Sequence, residues 1–337
     1  MSVLYVASDS EGAGKTAVCA TLAHMLRALD RKVAVFKPVA AADLMGRSDP
    51  DTKVYADLLG QQADGWPAEL PEGGLSEGLL KEISAAFARV SGEADVLVVE
   101  ASCALTIEES ARVAEELDAR TLVVGTFHRD LSASQMAPWT EHFGDRLLGV
   151  LINGLTRYLG TETNSRMLPS MNAAGLASFG VIPEDRRLLG VSVTELAKHL
   201  DGRFIVREEH TDALVEHIMV GGMGMDPGEL YFGLRESKAV IVRGDRPDIQ
   251  MPALNTNMSC MVLTGGFEPI EYVKYEAEQE EVAVMVVQTD TLTTMAAVNT
   301  LSERARFDHP LKLSRFSEML EEHANLPALF DGLGLRG

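Results

Sequence analysis

The run Val3-Leu4-Tyr5-Val6-Ala7-Ser8-Asp9-Ser10-Glu11-Gly12-Ala13-Gly14-Lys15-Thr16 decides how the rest of the chain is read. A short apolar stretch of β-forming residues passes through a glycine-bearing turn into a helical pattern that extends from Lys15 to Leu29. Glycines let such a turn curl until successive amides face one small volume, and the helix adds the positive end of its dipole. That volume suits a phosphate. In Glu11-Gly12-Ala13-Gly14-Lys15-Thr16 the lysine is placed to reach the β- and γ-phosphates of a nucleoside triphosphate, and the threonine hydroxyl to complete a magnesium shell. The expected ligands are ATP and Mg²⁺, on a P-loop formed by Glu11, Gly12, Ala13, Gly14, Lys15, Thr16 and Ala17. Five residues before Gly14, where the plain pattern has glycine, stands Asp9.

Further along, unbroken apolar runs recur at 33–36, 96–99, 122–124, 148–152 and 181–182, each too short for a helix and suited to a strand buried on both faces. Helical patterns separate them, among them Leu75 to Val90 and Ile107 to Leu117. Strand and helix in alternation predict a doubly wound, mostly parallel α/β sheet domain over residues 1–208. From Glu208 to Leu234 the pattern breaks, and Val220-Gly221-Gly222-Met223-Gly224-Met225-Asp226-Pro227-Gly228 reads as a loop or junction. A smaller α/β domain is expected over 209–310, with strands near 239–242, 260–263 and 282–287 and helices near 249–255, 270–278 and 292–301. Residues 311–337 are expected to form a terminal helix and tail.

The 337 residues are 46% hydrophobic, enough for two domains with cores of their own, and carry a formal net charge of -20. So acidic a surface, with no basic stripe, repels nucleic acid and anionic membrane, and neither is an expected partner. Three cysteines, Cys19, Cys103 and Cys260, lack the spacing of a metal or redox pair and suit a reducing compartment. There is no signal-peptide pattern at the N-terminus and no apolar run long enough to span a bilayer, so a cytoplasmic protein is expected.

The loop Ser8 to Thr16, followed by Phe36-Lys37-Pro38-Val39, resembles the dethiobiotin synthetase group of P-loop proteins. That group includes synthetase domains of cobyrinic acid diamide synthases and the N-terminal region of long bacterial phosphotransacetylases. Ile182-Pro183-Glu184-Asp185 with Val191-Ser192-Val193 is similar to a segment these relatives share. Gly244-Asp245-Arg246-Pro247-Asp248-Ile249-Gln250, with Leu263-Thr264-Gly265-Gly266 and Asp290-Thr291-Leu292-Thr293-Thr294, looks like a DRTGG domain. In long phosphotransacetylases such a domain precedes a catalytic acetyltransferase domain, for which this sequence has no room.

The resemblance implies a catalytic role for Lys37 beside Lys15, with Lys37 binding a substrate carboxylate or phosphoryl group. It implies magnesium ligands at Asp49 or Asp51 and at Glu100, and an adenine contact at Asn153, although the arginine that often follows is Gly154 here. Two alternatives stay open: a turn and helix cap at Asp49-Pro50-Asp51, and a solvent-facing charge at the strand end for Glu100. Where the relatives have Glu-Gly-Ala-Gly, this chain has Glu100-Ala101-Ser102-Cys103, and Ser10 replaces the second lysine of partitioning-type ATPases. In the second half, Asp245, Arg246 and the turn Thr264-Gly265-Gly266 are expected to line a crevice for a nucleotide or small anion. The alternative there is an Asp245-Arg246 ion pair with a turn that merely closes a loop.

The function that follows is a nucleotide- or metabolite-responsive regulatory protein of the phosphotransacetylase N-terminal type. A synthetase activating a carboxylate or carbamate is the alternative. A small-molecule metabolite, a second copy of the chain in a homo-oligomer and a separate acetyltransferase subunit are the expected partners.

Overall fold

A computed structural model describes residues 1–40, 49–62, 66–156, 158–209, 211–222, 228–301 and 305–335. Two compact units emerge: Met1–Asp185 together with Phe307–Gly337, and Arg186–Arg306. The second unit thus begins before Glu208. The stretch 203–206 is one of its strands, and the residues from Phe307 onward belong with the first unit.

The first unit is built on six strands: β1 (Ser2–Ser8), β2 (Val33–Phe36), β3 (Val96–Glu100), β4 (Arg120–Thr126), β5 (Leu147–Leu155) and β6 (Ser178–Pro183). They lie in the order β2-β3-β1-β4-β5-β6, and every pairing is parallel. Parallel neighbours require crossovers, and the helices that make them are α1 (Lys15–Ala28), α2 (Pro50–Leu59), α3 (Glu77–Ser91), α4 (Ile107–Glu116) and α5 (Ala133–Phe143). Two short helices, α6 (Gly160–Glu162) and α7 (Leu168–Ala173), precede β6. All five residues of β3 are buried, as its apolar run requires of a strand covered on both faces. Caps mark the helix starts: Thr106 and Glu109 form a capping box on α4, and Ser76 accepts from Leu79 N on α3.

In the second unit β7 (Val191–Ser192) pairs antiparallel with β9 (Leu214–Val215), and α8 (Val193–Leu200) follows β7 directly. The five-stranded sheet runs β10 (His217–Gly221), β11 (Lys238–Arg243), β12 (Cys260–Thr264), β13 (Ala283–Val286) and β8 (Arg203–Val206), parallel except for β8. The stretch Glu208 to Leu234, expected to break the pattern, therefore contributes β9, β10 and the short helix α9 (Gly228–Phe232); its residues 210 and 223–227 lie outside the described residues. Period-two alternation divides the strands between two cores. Val240, Val242, Met261, Leu263 and Val284 pack with Ile249 and Ala253 of α10 (Pro247–Leu254) and Val273 and Ala277 of α11 (Glu271–Gln279). Ala239, Ile241, Cys260, Val262 and Met285 pack with Leu196 and Leu200 of α8 and Val298 of α12 (Thr291–Asn299).

Two last helices return to the first unit, α13 (Pro310–His323) against α1 and β6, and α14 (Leu326–Gly332) against β6. Their seat needs a glycine. Gly180 has φ +143°, and a Cβ on it would lie 2.1 Å from the His323 carbonyl oxygen. Asn325 N donates to Phe179 O at 2.6 Å beside it. Gly180→Ala should therefore loosen α13 and α14 and cost about 2 kcal/mol or more, through overpacking and backbone strain together. Urea unfolding of the full chain measures this, and an unchanged midpoint would show that the terminal helices do not bear on that strand.

Candidate functional site

Three strands deliver the candidate residues to one edge of the first sheet, the carboxyl edge at which doubly wound folds hold their ligands. Ser8 ends β1, Glu100 ends β3 and Lys37 follows β2. Register pairs Val6 with Glu100, and Ala101 N donates to Val6 O at 2.9 Å, so β3 stops level with the start of the loop.

The loop carries positive φ angles at Gly12 (74°) and Gly14 (97°). Gly14 is the N-cap of α1, and no side chain caps that helix, which leaves its first amides turned toward the loop's concavity. A Cβ on Gly14 would come within 2.6 Å of Asn153 Nδ2. Asn153 itself donates from Nδ2 to Ala13 O at 2.9 Å, so its amide nitrogen buttresses the loop. Glu11 and Gly12 are exposed, while Ala13, Lys15 and Ala17 are buried. Lys15 Nζ donates to Ser8 Oγ at 2.7 Å. Asp9 does work that a glycine could not: its carboxylate accepts Thr126 N at 3.0 Å, and Ser10 Oγ lies 2.6 Å from Thr126 Oγ1, which ties the loop to the end of β4.

Beneath the loop lies a buried charged cluster. Thr16 Oγ1 donates to Glu100 Oε1 at 2.7 Å, and the Tyr55 hydroxyl donates to Glu100 Oε2. Lys37 Nζ bonds both carboxylate oxygens of Asp49 at 3.0 Å and also Asp51. Asp49 meanwhile accepts Asp51 N at 2.9 Å and Thr52 N at 3.3 Å as the N-cap of α2, so cap and ion partner are one residue. Glu100 is 2% exposed, which removes the alternative of a solvent-facing charge. Burial, with the nearby charge of Asp51, pushes its carboxyl up to about 7 against the opposing pull of Lys37, Tyr55 and Thr16. Burial works to lower the Lys37 ammonium, but Glu100, Asp51 and Asp49 outweigh it and hold the group charged. Burial and then the charge of Glu100 push the Tyr55 phenol well up, which keeps it a donor.

Among the described residues no group of three or more His, Cys, Asp or Glu side chains forms a ready metal cage. Magnesium does not require one, since it is held by one or two carboxylates plus phosphate oxygens and water. Thr16, Glu100, Asp49 and Asp51 fit that style of site. Tyr55 is the member that the sequence did not disclose; its only signal is a place one helical turn beyond the buried Thr52 on the inner face of α2. In the segment where the relatives have glycines, Ser102 is buried and donates to Ala40 O at 2.6 Å.

In the second unit the three motifs meet at the carboxyl edge of its sheet. A Cβ on Gly244 would fall 2.1 Å from Phe267 O, so the two loops touch backbone to backbone. Thr264 Oγ1 lies 2.8 Å from Thr291 Oγ1. Gly265 and Gly266 have positive φ (85° and 74°), and their amides donate to Thr289 O and Val287 O at 2.9 and 3.0 Å. Arg243 holds Asp245 in two bonds of 2.9 and 2.5 Å, and Arg246 holds Asp248 in two of 2.8 and 2.7 Å. Each of these two pairs reaches two residues along the chain.

A parallel sheet with a glycine loop between β1 and α1 defines a P-loop-type α/β protein. The AAA domain family matches residues 2–191, more than half of the chain, and the chain belongs to that family. The DRTGG domain matches residues 195–301. Among solved structures the chain is similar to the MinC:MinD cell division protein complex of Aquifex aeolicus, at 17% identity and a TM-score of 0.38, over 56% of this chain and 84% of that one. It is also similar to apo McdA from Cyanthece, at 17% identity and a TM-score of 0.37, over 56% and 87%. A third similarity is to the CBS and DRTGG domains of the regulatory region of Clostridium perfringens pyrophosphatase, complexed with the activator diadenosine tetraphosphate, at 17% identity and a TM-score of 0.31, over 46% and 74%.

The raised Glu100 carboxyl has a consequence for stability. Between about pH 4.5 and 7 the folded chain holds a proton there that the unfolded chain releases, so this residue's contribution is full below 4.5 and is lost as the pH rises through 7. In nucleotide- and metal-free buffer, Glu100→Gln should gain on the parent by roughly 2–3 kcal/mol across that window. Chemical unfolding of both proteins at several pH values checks it; a difference that does not change with pH would show the carboxylate to titrate normally.

Proposed function

We propose that the chain binds ATP with Mg²⁺ on the Gly12–Thr16 loop and serves as a nucleotide- or metabolite-responsive regulatory protein, of the type resembled by the N-terminal region of long phosphotransacetylases. The observation that carries this reading is the joint placement of an uncapped helix start, a buried Lys15 and a Thr16 hydroxyl held by buried Glu100. Lys15 would exchange the Ser8 hydroxyl for phosphate oxygen, and the amides of Gly12 to Ala17 would take the remaining phosphate charge. Mg²⁺, if held there by Thr16 with the carboxylates of Glu100, Asp49 and Asp51 nearby, would supply positive charge against the phosphates. Thr16 would keep its proton on Glu100 and turn its lone pairs outward, while Asp49 and Asp51 would share their charge between Lys37 and the ion.

Regulation is favoured over synthesis by the state of the neighbouring groups. Lys37, the residue a synthetase would present to its substrate, is buried and bonded to two carboxylates. Ser102 pins the segment after β3 where the synthetase group has mobile glycines. The synthetase reading, ATP-dependent activation of a carboxylate or carbamate, draws support from the same Lys15 and Lys37 standing at one sheet edge. The DRTGG unit then acts as the sensing partner, through Asp245, Arg246 and the Thr264–Gly266 turn. A homo-oligomer and a separately encoded acetyltransferase subunit complete the proposal.

At a hundredfold excess over its dissociation constant, Mg-ATP should stabilise the first unit by roughly 2.7 kcal/mol, a melting shift of about 5–10 °C. Lys15→Ala should abolish most of it, and an equal shift in the mutant would mean that the loop is not the site. An ATP hydrolysis screen across central carboxylates separates the two functions. Turnover evoked by one metabolite and lost in Lys15→Ala would favour the synthetase, and its absence the regulator.

A further inference from the structure

We infer that Tyr55 is the positioning residue of the magnesium site, acting through the carboxylate of Glu100. This rests on the proposed reading of Glu100 and goes beyond it, because Tyr55 belongs to neither the loop nor the strand that carries the recognisable motifs. The two oxygens of Glu100 are divided between two donors, Thr16 at Oε1 and the Tyr55 phenol at Oε2. Tyr55 is 0% exposed, and its donor has no water to turn to.

The arrangement has a directional consequence. A carboxylate on two methylenes can rotate, and Thr16 alone would fix only one oxygen. With the phenol on the second, the plane of the group is set, and so is the direction in which the Thr16 hydroxyl gives its proton. A Thr16 hydroxyl that donates to Glu100 keeps its proton away from a cation and its lone pairs toward it, whereas one released to rotate can turn its proton at the cation. Tyr55 is in turn seated by α2, whose start is the Asp49 cap that Lys37 also grips. One hydroxyl thereby joins the Lys37 cluster to the Thr16 side of the loop, in the manner of the outer partners that orient metal ligands elsewhere.

The test is calorimetric titration of ATP into the full chain, with saturating Mg²⁺ and separately with EDTA. Tyr55→Phe keeps the ring and removes the bond. It should weaken binding roughly tenfold in Mg²⁺ and leave binding in EDTA unchanged, an outer-partner effect of ordinary size. In the Glu100→Gln background, Tyr55→Phe should produce no further loss, because its route is through that carboxylate. Glu100→Asp, which keeps the charge but withdraws it by one methylene from the phenol and from Thr16 alike, should lose at least roughly tenfold in Mg²⁺ and covers the case in which Tyr55→Phe does not fold. Wild-type magnesium dependence in Tyr55→Phe or in Glu100→Asp, with Glu100→Gln impaired, would overturn the inference and leave Tyr55 as packing. Wild-type dependence in Glu100→Gln would instead remove Glu100 from the metal site, and the inference with it.

Discussion

The first unit depends on a carboxylate placed where water cannot reach it. An ionised Glu100 at the end of β3 is expensive to bury unless donors replace the water it loses. Those donors come from two directions, Thr16 on α1 and Tyr55 on α2, and no single element could supply both. Once β3 and both helices are assembled the cost of the charge is offset in part, and what remains shows in the carboxyl raised to about 7. That makes it a constraint on the fold as much as a feature of the site. The neighbouring Lys37 cluster follows the same rule, with one buried ammonium against two carboxylates of the α2 cap.

Such a cluster is a sensitive place to put a function. A second cation arriving near Thr16 competes for carboxylates that Lys37 and two hydroxyls now satisfy, so binding must rearrange charge and not merely fill space. Helix α2 registers that rearrangement, since its cap residue and Tyr55 are both members of the network. In the proposed reading, a binding event at the loop would have a physical route into helix α2, which lies outside that loop. This is the local form of response that a regulatory protein needs, and it asks only for small shifts in hydrogen bonding.

The sheet was legible from the sequence because buried parallel strands leave apolar runs that nothing else in the chain imitates, and the P-loop because its glycines are forced by backbone geometry. Gly14 shows the second reason directly, at a φ of 97° that residues with side chains rarely adopt. That Glu100 ends its strand was readable from the apolar run before it. Tyr55 was not, since an aromatic on an amphipathic helix is ordinarily core, and only the fold brings its hydroxyl to a carboxylate 45 residues on. The strands β8, β9 and β10 escaped for a related reason: they are edge or two-residue strands whose composition is mixed, and pairing partners far along the chain decide their state.

The second unit shows how far a motif can stand from a site. Its Gly-Gly turn invites comparison with the loop of the first unit, yet the two turns use their amides in opposite ways. In the first, helix α1 begins uncapped and its amides are left for a ligand. In the second, the amides of Gly265 and Gly266 are already spent on Thr289 and Val287. The glycine at 244 is likewise demanded by the Phe267 carbonyl. What these glycines secure is the mutual fit of three loops at one sheet edge. In the proposed reading a ligand would be met by side chains at that edge, where Asp245 and Arg246 stand partly exposed in short ion pairs. Surface pairs of this kind contribute little to stability and open at low cost, so they suit a group that is to change partners.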